Sequence, residues 1–180
     1  VITGSDGSGI VEAVDENVSS KWIGKEVVIN PSLYWGNNEN ILGENYEILG
    51  NPTNGTFAEF ITIPAEYVYE KPTHLSLKEA AALPLAALTA YRALFTKAKL
   101  KPEDKVLVTG IGGGAALYVL QMALAAGSEV YVSSSSEEKI EKAKQLGANA
   151  GYNYKDPGWV TKAKSEAGGL LKYVLGGKRK

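Results

Sequence analysis

Cysteine is absent from the 180 residues of this sequence, and histidine occurs once, as His74. Disulfide frameworks, iron–sulfur clusters and thiol catalysis are therefore excluded, and a typical zinc site is disfavoured because zinc prefers cysteine and histidine ligands. No apolar run approaches the roughly 20 residues that span a bilayer, and no signal peptide precedes the first predicted strand. We therefore expect a soluble intracellular protein, located in the cytoplasm, or a piece of one.

General disorder is excluded as well, because 44% of the residues are hydrophobic and 22% are charged, as in ordinary globular proteins. The length fits one large domain or two small ones. Residues 1–90 carry 12 acidic and four basic side chains, whereas residues 91–180 carry eight acidic and 15 basic ones. This asymmetry is typical of an anionic ligand site or of two solvated faces of different sign. Nucleic acid is disfavoured as a partner because basic runs do not interleave with aromatic residues.

The first third of the sequence has the alternation of β-strands. Strands are predicted over residues 10–14 and 25–29, and the alternation returns over residues 55–64. The polar stretch between them, residues 30–54, is long for a structureless loop, so we expect it to be a functional lobe or the relic of one.

From Leu77 onward the pattern alternates between helices and short apolar strands. Two helices come first, over residues 77–83 and 85–97, and a strand over residues 105–109 runs directly into a glycine-rich turn. The order then continues as helix, strand and helix over residues 116–126, 129–133 and 137–146. This succession predicts a βαβ unit with a parallel sheet and an α/β fold class.

The glycine-rich turn matches a dinucleotide-binding motif in which Ala115 takes the place of the third glycine. Gly110 permits the tight turn, Gly112 lets the backbone approach a pyrophosphate, and the small Ala115 lets helix and strand pack closely. The pyrophosphate would bind to the N–H groups at the start of the helix. The alternative is a tight turn without a ligand. The predicted cofactor contacts here are Gly110, Gly112, Gly113, Gly114 and Ala115.

The residues after the second strand favour NADP(H) as the cofactor. An NAD site places a carboxylate there to bind the ribose 2′-hydroxyl, but this strand ends in serines that include Ser134 and Ser135, and Lys139 follows in the next helix. Hydroxyls and an ammonium suit a 2′-phosphate. Alternatively, Ser134 with Glu137 and Ser135 with Glu138 match helix-capping boxes. Both glutamates would repel a phosphate that they faced.

Three segments together resemble the medium-chain dehydrogenase/reductases: Ala81 to Tyr91, the glycine-rich turn, and Gln145 to Ala148. Within that superfamily the chain is similar to the zinc-independent members that are quinone oxidoreductase-like or zinc-type alcohol dehydrogenase-like. The resemblance covers Val1 to about Gly169. It implies a partial GroES-like β domain, a partial Rossmann domain and a helix-like C-terminal segment with a basic tail, over residues 1–76, 77–169 and 170–180.

The resemblance also assigns site residues. Zinc members carry Gly-His-Glu where this sequence has Gly4, Ser5 and Asp6, so it implies no metal site, and Asp6 is expected to be structural. Thr89 matches a position near the nicotinamide end of the cofactor. Ser134, Lys139 and Tyr154 match positions that hold the 2′-phosphate of NADPH. The alternatives are that Thr89 is an ordinary helix-face residue and Tyr154 an ordinary strand aromatic.

The activity that the resemblance implies is NADPH-dependent hydride transfer, without zinc, to a carbonyl, a quinone or an activated alkene; no catalytic acid is assigned. The implied partners are a small-molecule substrate and a possible second copy of the chain, with no nucleic acid and no membrane. We expect the chain to lack parts of the family's fold at both ends, which would leave half a Rossmann sheet with an exposed edge and an uncovered apolar face. The alternative function is a non-catalytic fragment that retains at most nucleotide binding.

Overall fold

A computed structural model describes residues 1–169 and 171–174 of the chain. It divides the chain into two compact units, Val1–Leu85 and the residues from Ala86 onward, and each unit is described by itself. The boundary between these units lies after Leu85, whereas the family resemblance implies one after residue 76. Helix α1 (Leu77–Ala81) belongs to the first unit because it packs on the strands there and its Leu77 carbonyl accepts a 2.6 Å hydrogen bond from Ser8 Oγ.

The first unit contains an antiparallel sheet of three strands, with β2 (Glu26–Ile29) between β1 (Ser8–Ile10) and β5 (Val68–Glu70). Gly9 lies opposite Val27 in the first of these pairings. The strands are short, and the sheet is correspondingly small. The predicted strand over residues 25–29 is therefore confirmed, whereas the one over residues 10–14 is displaced toward the N-terminus.

The polar stretch from residue 30 to residue 54 contains a second, smaller sheet. Its strands β3 (Ser32–Leu33) and β4 (Glu47–Ile48) pair antiparallel. Three buried side chains from this region and from β2 form a core cluster of the first unit: Ile29, Leu33 and Leu49.

The predicted strand over residues 55–64 is wrong, because no residue of this segment belongs to a strand. Its backbone instead crosses the start of the chain, where Gly55 N–H donates to the Ile2 carbonyl at 2.7 Å. Ile61 and Ile63 pack against the core of the first unit. The alternating pattern therefore reflects the burial of these two side chains and not a strand pairing.

The second unit contains a parallel sheet of four strands in the order β8-β7-β6-β9. Its strands in chain order are β6 (Lys105–Thr109), β7 (Glu129–Ser134), β8 (Ala150–Asn153) and β9 (Lys172–Val174). Helix α2 (Pro84–Tyr91) precedes the sheet and continues as a π-helical segment, Arg92–Lys97. The remaining helices are α3 (Gly114–Ala125), α4 (Glu137–Gln145) and α5 (Trp159–Glu166). The predicted α/β fold with a parallel sheet is confirmed.

Helices cover both faces of this sheet. One face packs against α3 and α4 through fully buried valines, Val106, Val108, Val130 and Val132. The opposite face carries Tyr131 and Tyr152, which pack with Ala163 of α5 and with Ala167. Successive side chains of a strand point to opposite faces, and helices cover both faces, so these strands are apolar on both sides.

Strand β9 corrects the expectation of a helix-like segment over residues 170–180. Lys172–Val174 pair with β6, from Val106 to Val108; residues 170 and 175–180 lie outside the described part of the chain. β7 pairs with only one edge of β6, and β9 satisfies the backbone groups at the other edge. A helix of this length would be only marginally stable in water. The resulting strand order, 3-2-1-4 along the chain, is that of a Rossmann-like sheet.

The α5 face of the sheet keeps an open apolar groove of about 530 Å³. Leu107, Trp159 and Leu171 line it, together with Val160, whose side chain is 46% exposed. The described residues thus leave part of this face uncovered.

Candidate nucleotide-binding site

The loop from β6 to α3 has the backbone that a closely approaching ligand requires. Gly110 and Gly112 have φ angles of +68° and +117°, a region that residues with a Cβ rarely adopt. Ile111 is 2% exposed, and its N–H donates to the Ser133 carbonyl at 2.9 Å. This buried residue holds the loop in place, while Gly112 and Gly113 stay exposed.

The loop ends at the N-terminus of α3. Gly113 is the N-cap in an extended conformation, and Gly114 and Ala115 begin the helix. The N–H groups of a first helical turn have no partner within the helix, and the helix dipole is positive there. The start of α3 can therefore hold an anionic group, as the motif predicts.

Helix α2 lies against this start of α3. A Cβ on Gly114 would lie 3.6 Å from Ala86 Cβ. Thr89 is three residues after Ala86 and so lies on the same face of α2, and it is exposed. Thr89 thus lies about one turn along α2 from Ala86, the residue that faces the start of α3.

The end of β7 corrects the capping alternative. The N-cap of α4 is Ser136, whose Oγ accepts from the Lys139 N–H at 3.4 Å. Ser134 is the last residue of β7, is 5% exposed, and accepts from the Ser136 N–H at 3.2 Å through its Oγ. Because β7 extends one residue further than predicted, neither Ser134 nor Ser135 caps the helix.

Lys139 lies over the glycine loop. A Cβ on Gly112 would be 2.7 Å from Lys139 Cδ and 3.3 Å from its Nζ. The absence of a side chain at Gly112 therefore leaves the space that the lysine chain uses. This arrangement fits a dinucleotide, because it puts an ammonium group beside the loop that would hold the pyrophosphate and at the end of β7, where the ribose would lie.

Both carboxylates in the first turn of α4 have partners outside the loop. Glu137 accepts a hydrogen bond from Asn153 Nδ2 at 2.7 Å. Glu138 pairs with Lys142 Nζ at 2.6 Å, and this contact lowers the pKa of the Glu138 carboxyl. The repulsion of a phosphate that the sequence suggests is reduced accordingly.

Tyr154 directly follows β8, at the same carboxyl end of the sheet as Ser134. Its N–H donates to the Ser134 carbonyl at 3.0 Å, and its side chain is half-buried. Ser135, also half-buried, lies between β7 and α4. The structure thus brings Ser134, Ser135, Lys139 and Tyr154 to the carboxyl ends of β7 and β8, and Lys139 reaches the glycine loop.

Two other tyrosines of the sheet are structural. Tyr131 donates to Glu129 and Tyr152 donates to Glu166, at 2.8 and 2.9 Å. Burial raises the pKa of Tyr131 to about 12 and raises the pKa of Tyr152 as well. Both phenols therefore remain protonated near neutral pH.

The Gly4-Ser5-Asp6 segment, where zinc members have a metal ligand, has a structural contact. Asp6 Oδ1 accepts from the Leu85 N–H at 2.7 Å, in the first turn of α2. His74 is exposed in the loop after β5. Across residues 1–169 and 171–174, no three His, Asp or Glu side chains group together as metal ligands. The described part of the chain also has no helix long and apolar enough to cross a membrane.

Known proteins match both units. The protein-family model of the alcohol dehydrogenase GroES-like domain matches residues 1–73, and the family model described as zinc-binding dehydrogenase matches residues 114–176. A zinc-type alcohol dehydrogenase-like protein of Schizosaccharomyces pombe is 40% identical over 173 residues, which is 94% of this chain and 50% of that protein. This chain belongs to the medium-chain dehydrogenase/reductase family.

Two further matches extend the comparison. The quinone oxidoreductase of Homo sapiens is 30% identical over 92% of this chain and 44% of its own length. A crystal structure described as an NAD-dependent alcohol dehydrogenase has a TM-score of 0.87 and 39% identity, and the match covers 93% of this chain and 51% of that one. The chain thus spans about half the length of the curated relatives it matches, and these relatives are oxidoreductases.

Proposed function

We propose that the second unit binds NADPH and that the protein transfers hydride from it, without zinc, to a carbonyl, a quinone or an activated alkene. The observation that carries the proposal is the position of Lys139 over Gly112, beside the serines that end β7. A 2′-phosphate carries close to two negative charges, so it needs hydrogen-bond donors and a cation at this place.

The surroundings of Lys139 support this preference. Ser134 accepts one hydrogen bond through its Oγ, so its hydroxyl proton is left to donate to a phosphate oxygen. Ser135 and Tyr154 bring further hydroxyls to the same edge. No residue from Ser133 to Ser136 offers the carboxylate that would bind a ribose 2′-hydroxyl. The similar structure described as NAD-dependent is the contrasting case, and the titration below decides between the two cofactors.

Each part of the second unit would have a separate role toward the cofactor. The backbone from Gly112 to Ala115 would hold the pyrophosphate at the start of α3, and Ser134, Ser135, Lys139 and Tyr154 would hold the 2′-phosphate. Thr89 would lie toward the nicotinamide end. NADPH, when bound, supplies the hydride, and the protein contributes its position and the surrounding field.

The zinc-free character of the reaction is part of the proposal. Ser5 replaces the histidine ligand of the zinc members, and the neighbouring Asp6 carboxylate contacts the backbone of α2. His74, the one histidine in the sequence, is exposed in a loop. These observations support a site in which no metal polarises the substrate oxygen.

The second candidate is a non-catalytic fragment that binds the nucleotide alone. The observation in its favour is that the chain spans about half the length of its relatives, while the predicted cofactor residues all lie in one unit. Enhanced NADPH fluorescence followed by NADPH oxidation with a small quinone supports the oxidoreductase. Fluorescence enhancement without oxidation selects the fragment, and no enhancement refutes both.

A further inference from the structure

A hydrogen bond from the end of β8 to the first residue of α4 sets the position of the Glu137 carboxylate. Asn153, the last residue of β8, donates to Glu137 Oε1 at 2.7 Å, and it lies opposite Ser134 in the pairing of β7 with β8. The Asn153 Oδ1 accepts from the Lys155 N–H at 3.1 Å. This second bond fixes which end of the amide faces the glutamate, so the donor is directed at Glu137.

Glu137 and Lys139, two oppositely charged residues of α4, have contacts on opposite sides of β7. Asn153 belongs to β8, on one side of β7, and holds Glu137 there. Gly112 follows β6, on the other side of β7, and Lys139 lies over it. The serines at the end of β7 lie between these two positions. The negative charge is thus kept apart from the ammonium group that would meet a phosphate.

We infer that Asn153 is a specificity-determining positioning residue, which holds the Glu137 carboxylate on the β8 side and so keeps the site beside Ser134 and Lys139 favourable to a 2′-phosphate. The inference rests on the proposed preference for NADPH. A carboxylate at the end of this strand is the device by which NAD sites bind the ribose and reject the phosphate. Glu138 is already paired with Lys142, so the placement of Glu137 matters more.

Loss of the Asn153 bond would let the Glu137 carboxylate turn toward the bound phosphate. Two charges about 6 Å apart in a partly solvated site repel enough to change an affinity about three- to tenfold. NADH has no 2′-phosphate, so its affinity would stay within about twofold. The expected effect is therefore a loss of preference and not a general loss of binding.

The test uses the full 180-residue chain and three variants, Asn153→Ala, Glu137→Gln and the double variant. NADPH and NADH are titrated by fluorescence, and adenosine 2′,5′-bisphosphate is titrated as a competitor that carries the phosphate without the nicotinamide. Asn153→Ala alone is expected to weaken NADPH and the bisphosphate about three- to tenfold. In the Glu137→Gln background the same change is expected to have no effect beyond twofold.

Glu138→Gln provides the matched control, because it removes the adjacent charge of the same helical turn and leaves Glu137 in place. Asn153→Ala in that background should still weaken NADPH. The inference is overturned if Asn153→Ala leaves NADPH affinity unchanged, weakens both cofactors equally, or keeps its effect when Glu137 is glutamine. It is also overturned if Glu137→Gln weakens NADH, since Glu137 would then bind the ribose itself.

The wild-type titration separates this inference from the function on which it rests. A wild-type chain that binds NADH as tightly as NADPH refutes the proposed preference, and the role of Asn153 falls with it. A wild-type chain that prefers NADPH while the Asn153 variants behave as in the contrary outcomes refutes the role of Asn153 alone.

Discussion

Replacing Lys139 with alanine removes the ammonium group that lies beside the glycine loop. The lysine Nζ is 3.3 Å from the place that a Cβ on Gly112 would occupy, so the chain crosses the loop and its charge can reach a phosphate at the end of β7. Ser134 and the backbone of the loop would remain in place. The variant therefore tests the cation with little change in the rest of the site.

The size of the effect follows from the charge and the exposure of Lys139. A hydrogen bond between charged groups contributes about 1.5–3 kcal/mol. Lys139 is exposed, and solvent screening places the expected loss toward the lower end of that range. About 1.4 kcal/mol corresponds to a tenfold change, so NADPH should bind about tenfold more weakly. NADH has no group to meet the ammonium, and its affinity should hardly change.

The assay is a fluorescence titration of both cofactors against the wild-type chain, Lys139→Ala and Lys144→Ala. Lys144 lies on the same helix and pairs with Glu141 at 2.9 Å, so its removal makes the same change of net charge at another position. We expect Lys144→Ala to leave the ratio of NADPH to NADH affinity unchanged. If Lys139→Ala also leaves that ratio unchanged, Lys139 is only a solvated helix residue and the phosphate-site argument is wrong.

Three further outcomes test the fold and the metal-free site. Gly151→Ala places a Cβ 2.3 Å from the buried Ile140 Cγ2, so it should lower the free energy of unfolding by about 1–3 kcal/mol. The control for thermal unfolding is Gly9→Ala, where a Cβ meets nothing within 4 Å. Equal melting temperatures of the two variants would contradict the packing around Gly151. Asp6→Ala should cost about 1 kcal/mol, because it removes the acceptor of the Leu85 N–H at the start of α2, whereas Asp6→Asn keeps an acceptor and should cost less in a urea titration. Equal losses would show that the contact does not stabilise the helix. Elemental analysis after dialysis should find no zinc, and about one zinc per chain would overturn the metal-free assignment.

The second unit was largely predictable from the sequence. Strand β6 has the predicted bounds, Lys105–Thr109, and β7 and α4 differ from prediction by one residue. Each of these elements is a run of one period that ends at a glycine or a serine, so local pattern and local structure agree. Strand β8 was missed because Gly151 lies in its middle, and glycine lacks the side chain on which the strand pattern depends.

The first unit was harder to predict because its strands have two to four residues. Such lengths give too few alternations to separate a strand from a loop that buries every second side chain, as Ile61 and Ile63 do. The resemblance implies a helix where β9 lies, and three residues carry too short a pattern to indicate the strand, whose pairing depends on the free edge of β6. Tertiary pairing decided these segments, and propensity did not.

The candidate site also has a part that the sequence predicts and a part that only the fold reveals. Motif spacing relates the glycine loop to Ser134 and Lys139, the family resemblance adds Tyr154, and the structure brings these residues to the carboxyl ends of the strands. The bond from Asn153 to Glu137 depends on the register of β8 against β7, which the sequence does not state. The contact of Asp6 with Leu85 joins residues 79 positions apart. Such long-range contacts follow from the fold and leave no local signal.

The ratio of the dissociation constants for NADPH and NADH, measured on the wild-type chain at one ionic strength, tests the central claim most directly. Lys139 and the serines of β7 should favour NADPH by about tenfold or more, as expected for one charge-assisted contact to the 2′-phosphate. Equal affinities, or tighter binding of NADH, would contradict the assignment of these residues to a phosphate site.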